Sequence, residues 1–176
     1  MFHSPPLCRR APHSLPPPTL ATVLVNEGLR ASFARFLEEE LAAESLEFLD
    51  ECDAFAEAEL TPDALAAEAR RIYDRYVREG APQEVNISGP VRKQIKLGVL
   101  KPKHGVVLQG VFEGAARELC TLLQENFMAR WLAKNEWREI PFPPCAPALP
   151  SLRQVLAQPR LRNQFEWFLA GKDQQV

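Results

Sequence analysis

The sequence of 176 residues predicts an all-α protein, and three observations support this fold class. Apolar residues recur at helical spacing through most of residues 19–133, for example Leu29, Phe33 and Leu37. In the same stretch no segment alternates between apolar and polar residues over a length that would suit a strand. The connections between the predicted helices are short, and short connections place neighbouring helices antiparallel.

The first three helices follow from these apolar stripes. Residues 19–25 predict a short helix, and Asn26 is the expected N-cap of a second helix. The apolar stripe of the second helix extends from Leu29 to Leu41. A third helix follows after a brief break at residues 42–43.

The fourth helix has a strong start signal. Thr61 is a suitable N-cap, Pro62 suits the first helical position, and Asp63 lies near the positive end of the helix dipole. Gly80 is the expected stop, because glycine tolerates the left-handed conformation that ends many helices.

The stretch Ala81–Ser88 connects the fourth and fifth helices and is the candidate recognition loop. It is polar at both ends and has an apolar residue, Val85, between Glu84 and Asn86. Loops held by rigid helices are common places for binding residues. The alternative is a plain connector whose Asn and Glu side chains satisfy only local backbone groups.

The second half of the chain predicts two more helical regions. One runs from about Ser88, its expected N-cap, to Leu97. A turn at Lys101–Gly105 separates it from the longest region, about Val111–Ala133, which we expect to bend near Asn126.

Composition excludes several classes of protein. The net charge of −2 argues against a nucleic-acid-binding domain, because such domains carry a clear basic excess. The longest apolar runs are too short to span a bilayer, and the N-terminus lacks the apolar core of a signal peptide. We therefore expect a cytoplasmic protein with one substantial domain.

The cysteines and histidines predict no metal site, no cofactor and no catalytic centre. Cys8, Cys52, Cys120 and Cys145 lie far apart and form no pair with zinc-ligand spacing. They suit free thiols in a reducing compartment. His104 lies in a turn without a carboxylate or thiol neighbour at a suitable spacing, and the other histidines lie in the N-terminal tail.

Both ends of the chain depart from the helical pattern. Residues 1–18 form a proline-rich leader that we expect to be disordered, and residues 136–150 a proline-rich linker. A lipidated anchor at Cys8 is a weaker alternative to an unmodified tail. Residues 151–176 repeat the start of the domain and predict an incomplete second copy. The identical pairs are Leu20/Leu152, Val23/Val155, Leu24/Leu156, Leu29/Leu161, Arg30/Arg162, Phe33/Phe165, Phe36/Phe168 and Leu37/Leu169.

A set of short motifs occurs in a defined order along residues 19–135. They are Phe33–Phe48, Ile72–Tyr76, Glu84–Ile87, Phe112–Ala115 and Met128–Leu132. In this order and spacing they resemble the regulator-of-G-protein-signalling (RGS) domain. The resemblance implies a fold of about nine helices, in which a four-helix bundle sits on a subdomain formed by the two ends of the domain.

The resemblance also implies the function. A protein of this family binds the switch segments of a GTP-bound Gα subunit and accelerates its GTP hydrolysis without an active site of its own. It would be a monomer without a small-molecule substrate or a nucleic-acid partner. It would be cytoplasmic and meet a membrane only indirectly, through Gα.

By resemblance, eight residues would form the Gα-binding surface. They are Glu44, Ser45, Glu84, Asn86, Ser88, Leu122, Asn126 and Arg130. Asn86 would touch the switch residues beside the catalytic Gln of Gα, and Glu84 would support the loop. The alternative for Arg130 is a helix-surface charge without a binding role.

The main departure from the family is Ser45, which stands where the family has Asn. The shorter side chain cannot span the same gap while donating and accepting hydrogen bonds. Asn126 stands where the family usually has Asp, and Leu49 where it has Trp. A second hypothesis therefore stays open, in which the fold serves as a scaffold that does not act on GTP hydrolysis.

Overall fold

The structure is a computed structural model that describes residues 17–140. Within that range it contains helices and no strand, which confirms the all-α fold class. The α-helices are α1 (Leu20–Val25), α2 (Glu27–Glu39), α3 (Ala43–Glu57), α4 (Pro62–Ile72), α5 (Gly89–Leu100), α6 (Glu113–Leu122) and α7 (Met128–Ala133). Most of the predicted leader and linker, and the whole predicted second copy, lie outside the described residues.

The predicted helix starts in the first half of the chain are confirmed by their caps. The side chain of Asn26 accepts a hydrogen bond from the Leu29 amide at 2.9 Å at the start of α2. Thr61 accepts one from the Ala64 amide at 3.4 Å at the start of α4. Each cap satisfies an amide that has no partner within its helix.

The prediction that the apolar stripe of α2 extends to Leu41 was wrong. The helix ends at Glu39, and Leu41 lies outside it with φ of 56° and 89% of its surface exposed. The amide of Ala42 reaches back to the Leu37 carbonyl at 2.8 Å. This is a Schellman turn, and its left-handed position, where glycine is usual, is occupied by leucine.

Two π turns extend helices beyond their α-helical parts. One, Tyr73–Val77, continues α4, so the helix ends before Gly80, whose φ of 69° then forms part of the following turn. The other, Leu123–Phe127, joins α6 to α7 where we expected a bend near Asn126. In each π turn the backbone hydrogen bonds span five residues instead of four.

The number of helices is smaller than the resemblance implied. Because each π turn merges with its neighbours, residues 17–140 contain six continuous helices rather than about nine. The other helical segments in that range are single 3₁₀ turns at Lys103–Gly105, Gln109–Phe112 and Glu136–Glu139.

Aromatic rings form much of the core. Phe33 meets Trp131 edge to face at 5.4 Å between ring centroids, which joins α2 to α7. Phe48 of α3 contacts Tyr76 at 5.5 Å and Phe112 at 6.0 Å. The core therefore fixes the positions of the helix ends that flank the candidate recognition loop.

Packing continues beyond residue 135, where the predicted domain ends. Trp137 lies in the last 3₁₀ turn and is 2% exposed. Its indole N–H donates to the carbonyl of Leu132 at 3.1 Å. The turn also contacts α2, so the packed unit includes residues that the sequence assigned to the linker.

Candidate functional site

The loop between α4 and α5 is held by its apolar residues and presents Asn86. Val85 is 1% exposed and Ile87 7%, while Asn86 between them is exposed. The amide of Val85 donates to the Tyr76 carbonyl at 2.9 Å. Within residues 17–140 the side chain of Asn86 has no hydrogen-bond partner, so its amide group is available to another molecule.

Glu84 holds the loop by two contacts, as expected for a supporting residue. Its carboxylate accepts from the Gly80 amide at 2.8 Å and pairs with Arg92 of α5 at 2.8 Å. Arg92 also donates to the carbonyl of Val77, and a longer contact of 3.5 Å joins it to the carbonyl of Val85. One half-buried guanidinium therefore joins the helix end before the loop to the middle of the loop.

Ser88 follows the loop at the N-cap position of α5, but its side chain does not cap the helix. Its hydroxyl donates to Glu118 of α6 at 2.6 Å, and its amide donates to the same carboxylate at 2.8 Å. Ser88 is thus the N-cap residue of α5, as predicted, but its side chain binds the charged acceptor Glu118 instead of an amide of the helix. Leu122 is half-buried one helical turn beyond Glu118.

A second contact joins the loop to the start of α3. The side-chain amide of Gln83 donates to Glu47 at 2.7 Å, and Arg75 lies 3.5 Å from the same carboxylate. Glu44 lies one turn before Glu47 on the same side of α3 and is half-exposed. The loop therefore spans the gap between α3 and α6.

Arg130 of α7 forms an ion pair with Glu40, at the end of α2. Its guanidinium carbon also lies 6.0 Å from the ring centroids of Phe36 and Phe127. Asn126 is exposed in the π turn, one turn before Arg130. Arg130 is thus not an isolated surface charge, because it links α7 to the turn that holds Leu41.

Unlike the other predicted site residues, Ser45 is buried. It is 2% exposed and lies in the first turn of α3, between the half-exposed Glu44 and the buried Leu46. A serine side chain at this depth presents almost no surface to a partner. The role of Ser45 as a direct contact stays a prediction, and its side chain lies behind Glu44 in the unbound chain.

The contacts above join the loop to the start of α3 and to α6, and they join α7 to the α2–α3 turn. We call the exposed residues of these segments the recognition surface. Its predicted members that are at least partly exposed are Glu44, Glu84, Asn86, Ser88, Leu122, Asn126 and Arg130. Two further residues lie along these contacts that the sequence did not indicate, Glu40 and Glu118. No periodic signal distinguishes these from ordinary helix-surface residues.

Over the described part of the chain, no group of three or more His, Cys, Asp or Glu side chains is placed to hold a metal ion. Burial raises the pKa of the Cys52 thiol, which keeps it protonated and unreactive. A hydrogen bond from Lys134 lowers the pKa of Glu39, so this carboxylate beside the recognition surface stays ionised.

Comparison with known proteins identifies relatives along most of this fold. Residues 19–139 match the family model described as "Regulator of G protein signaling domain". The chain is 28% identical to regulator of G-protein signaling 18 of Rattus norvegicus over 102 residues, which cover 57% of this chain and 40% of that protein. It is 27% identical to regulator of G-protein signaling 5 of Sus scrofa over 114 residues, which cover 65% and 59%.

A third relative is regulator of G-protein signaling 16 of Rattus norvegicus. It is 30% identical over 110 residues, which cover 62% of this chain and 52% of that protein. The chain thus spans between 40% and 59% of the length of these three relatives.

Proposed function

The chain belongs to the family of regulator of G protein signaling domains, and on this premise we propose that it binds the switch regions of GTP-bound Gα and accelerates GTP hydrolysis. The observation that supports this most directly is the exposed position of the Asn86 side chain in the loop. Its side chain has no hydrogen-bond partner within residues 17–140 and is held outward by two buried neighbours, in a loop that contacts Arg92 and Glu118. A site prepared in this way loses little conformational entropy on binding.

The mechanism needs no catalytic group from this chain. Gα holds its own Arg and the Gln that orients the attacking water. The recognition surface accelerates hydrolysis by binding the switches more tightly in their transition-state arrangement than in the ground state. Each tenfold gain in rate requires roughly 1.4 kcal/mol of such differential binding, which a few charge-assisted hydrogen bonds can supply.

In this proposal Asn86 contacts the switch that holds the catalytic Gln, and Glu44 the first switch. Glu84 keeps the loop in place through Arg92, and Arg130 contributes with its partner Glu40. Ser88, Leu122 and Asn126 complete the contact area. The protein acts as a monomer in the cytoplasm, beside the membrane that holds Gα.

The test of this function is binding to three nucleotide states of Gα. We expect the highest affinity for the GDP form with a bound metal fluoride, which mimics the transition state, and acceleration of hydrolysis in a single-turnover assay. Binding that is equal or absent for the GDP, GTP-analogue and transition-state forms of every Gα class would contradict the proposal.

A second candidate function rests on Ser45. Its small, buried side chain leaves the start of α3 without the amide that the family places there. If that amide is required, this chain binds a partner through the same fold without accelerating hydrolysis. Single-turnover rates separate the two candidates, because a scaffold leaves the basal rate of Gα unchanged.

Replacing Ser45 with asparagine is expected to increase the rate of Gα GTP hydrolysis roughly two- to tenfold, provided the added amide reaches the surface beside Glu44. One regained hydrogen bond contributes about 0.5–1.5 kcal/mol, here mainly in the transition state. Ser45→Ala serves as the control and should leave the rate unchanged. If Ser45→Asn has no effect while circular dichroism shows an intact fold, position 45 does not limit the activity.

A further inference from the structure

A groove runs between α2 and α3, with a volume of about 350 Å³. Its lining residues recur at helical spacing on α2, from Glu27 to Glu38, and on α3, from Ala43 to Asp50, so one face of each helix forms a wall. The stretch Glu27–Glu38 is about 18 Å long in an α-helix. The groove is therefore long enough to hold about three turns of another helix.

The floor of the groove is apolar. It contains three alanines, Ala31, Ala34 and Ala43, and the buried Leu46. Ala31 is exposed, whereas Ala34 and Ala43 are half-buried. Because alanine side chains are short, larger apolar side chains of an occupant can enter between the two helices and lose their contact with water.

The rim of the groove is acidic. It has four carboxylates, those of Glu27, Glu38, Glu47 and Asp50, and one guanidinium, that of Arg30. Arg30 pairs with Asp50. Within residues 17–140, Glu27 and Glu38 form no ion pair, so their carboxylates can attract the cations of an occupant.

The described part of the chain ends beside this groove. Ile140 packs on the first turn of α2, where its Cγ2 lies 2.8 Å from the point that a Cβ atom at position 28 would occupy. Gly28 follows Glu27 directly, so Ile140 lies next to one end of the groove. Residues 141–150 carry no charge and can span at most about 33–36 Å. The residues after position 150 can therefore reach the whole length of the groove.

Residues 151–176 have the charge that suits an acidic rim. They hold four cations against two carboxylates. The cations are Arg153, Arg160, Arg162 and Lys172. Charge complementarity therefore favours this segment as the occupant of the groove.

The same segment has an apolar stripe. Leu161, Phe165, Phe168 and Leu169 recur at helical spacing, and they are identical to four residues that α2 buries. The stretch Leu161–Lys172 would be about 18 Å long as a helix. It is therefore amphipathic and matches the groove in length.

We propose that the stretch Leu161–Lys172 packs as a helix in the groove between α2 and α3 of the same chain. Its apolar stripe contacts the alanine floor, and its cations lie near Glu27 and Glu38. The shape of the groove, the position of Ile140 and the two sets of charges support this packing. The inference does not rest on the proposed action on Gα.

The first test is amide hydrogen exchange of the full chain, followed by mass spectrometry. A short linker gives an effective concentration in the mM range. A contact with a Kd of about 0.1 mM between separate molecules would then be formed about nine tenths of the time, which slows exchange in residues 161–172 about tenfold. The double variant Glu27→Lys, Glu38→Lys should reduce this protection to about twofold or less, because the rim then repels the segment.

The matched control is the double variant Glu57→Lys, Glu59→Lys, which changes the net charge equally at exposed positions where α3 ends. It should retain the protection, whereas Ala34→Arg, which fills the groove, should remove it. Circular dichroism and thermal melts verify that each variant is folded. Equal losses in both double variants would show a general effect of net charge and would overturn the proposal.

The second test detects the contact directly. Lys172 is the only lysine in the sequence after residue 140, and a carbodiimide couples an amine to a carboxylate that it touches. We expect a cross-link from Lys172 to Glu27, Glu38 or Glu47 in the monomer fraction. Lys172→Arg keeps the charge and should remove the cross-link.

Three results would overturn the proposal. The first is native protein in which residues 161–172 exchange without protection. The second is protection that survives both Ala34→Arg and the charge reversal at Glu27 and Glu38, because the segment would then be covered elsewhere. The third is protection that rises with protein concentration, with cross-links found only in a dimer, because the occupant would then belong to a second copy of the chain.

Discussion

Replacing Asn86 with alanine is expected to weaken binding to the transition-state form of Gα by about 1–3 kcal/mol, which is roughly 5- to 150-fold in Kd. The melting temperature should change little, because the Asn86 side chain has no hydrogen-bond partner within residues 17–140. The residues that hold the loop, Val85 and Ile87, remain in place. Titration of the fluoride complex and a thermal melt of the same samples measure both effects.

Two further variants serve as controls for this experiment. Gln94→Ala removes an exposed amide from α5, away from the recognition surface, and should leave both binding and melting unchanged. Arg92→Ala removes the contacts to Glu84 and the Val77 carbonyl, so it should lower both. If Asn86→Ala instead unfolds the protein, Asn86 is a structural loop residue and the connector hypothesis is correct.

Replacing Trp131 with alanine is expected to lower the free energy of unfolding by about 3–5 kcal/mol, the largest loss that we predict for one residue. Trp131 is 2% exposed and packs against Phe33. Its indole N–H also donates to the Ser32 hydroxyl at 3.3 Å inside the core. Urea titration followed by circular dichroism measures the change, and the melting temperature should fall by on the order of 10–20 °C.

Trp131→Phe is the matched variant for this prediction. It keeps an aromatic ring beside Phe33 but removes the indole N–H and leaves a smaller cavity, so a loss of about 1–2 kcal/mol is expected. Equal effects of the two substitutions would mean that ring packing contributes little. A loss below about 1 kcal/mol for Trp131→Ala would place this side chain outside the essential core.

Local signals in the sequence were sufficient to predict most helix starts. Asn26 and Thr61 accept hydrogen bonds from amides within three residues of themselves, and such short-range chemistry depends little on the rest of the fold. The spacing of Leu29, Phe33 and Leu37 predicted their burial for the same reason. The order of the family motifs then supplied the arrangement of the helices, which spacing alone does not provide.

The departures from the sequence prediction have different causes, one distant and one local. Ser88 follows the pattern of an N-cap, yet its hydroxyl binds Glu118, 30 positions away in the sequence. Leu41 continues a helical stripe by spacing, but a Schellman turn ends the helix before it. Ser45 matches a family contact position and is buried in the first turn of α3, so its contact with a partner stays a prediction.

The π turns at Tyr73–Val77 and Leu123–Phe127 affect how the protein tolerates the insertion or deletion of single residues. Buried positions on the last helices advance by four residues from Leu119 to Leu123 and by five from Leu123 to Met128. Loss of a single codon from the second turn would give these positions the four-residue spacing of a regular α-helix, so Met128 and the residues after it would keep their orientation. Conversion of the same turn to a regular α-helix without a deletion would instead rotate every later residue by about 100° and move Arg130 away from Glu40. A deletion of one residue should therefore be tolerated more readily within the second π turn than in the regular parts of α6 and α7.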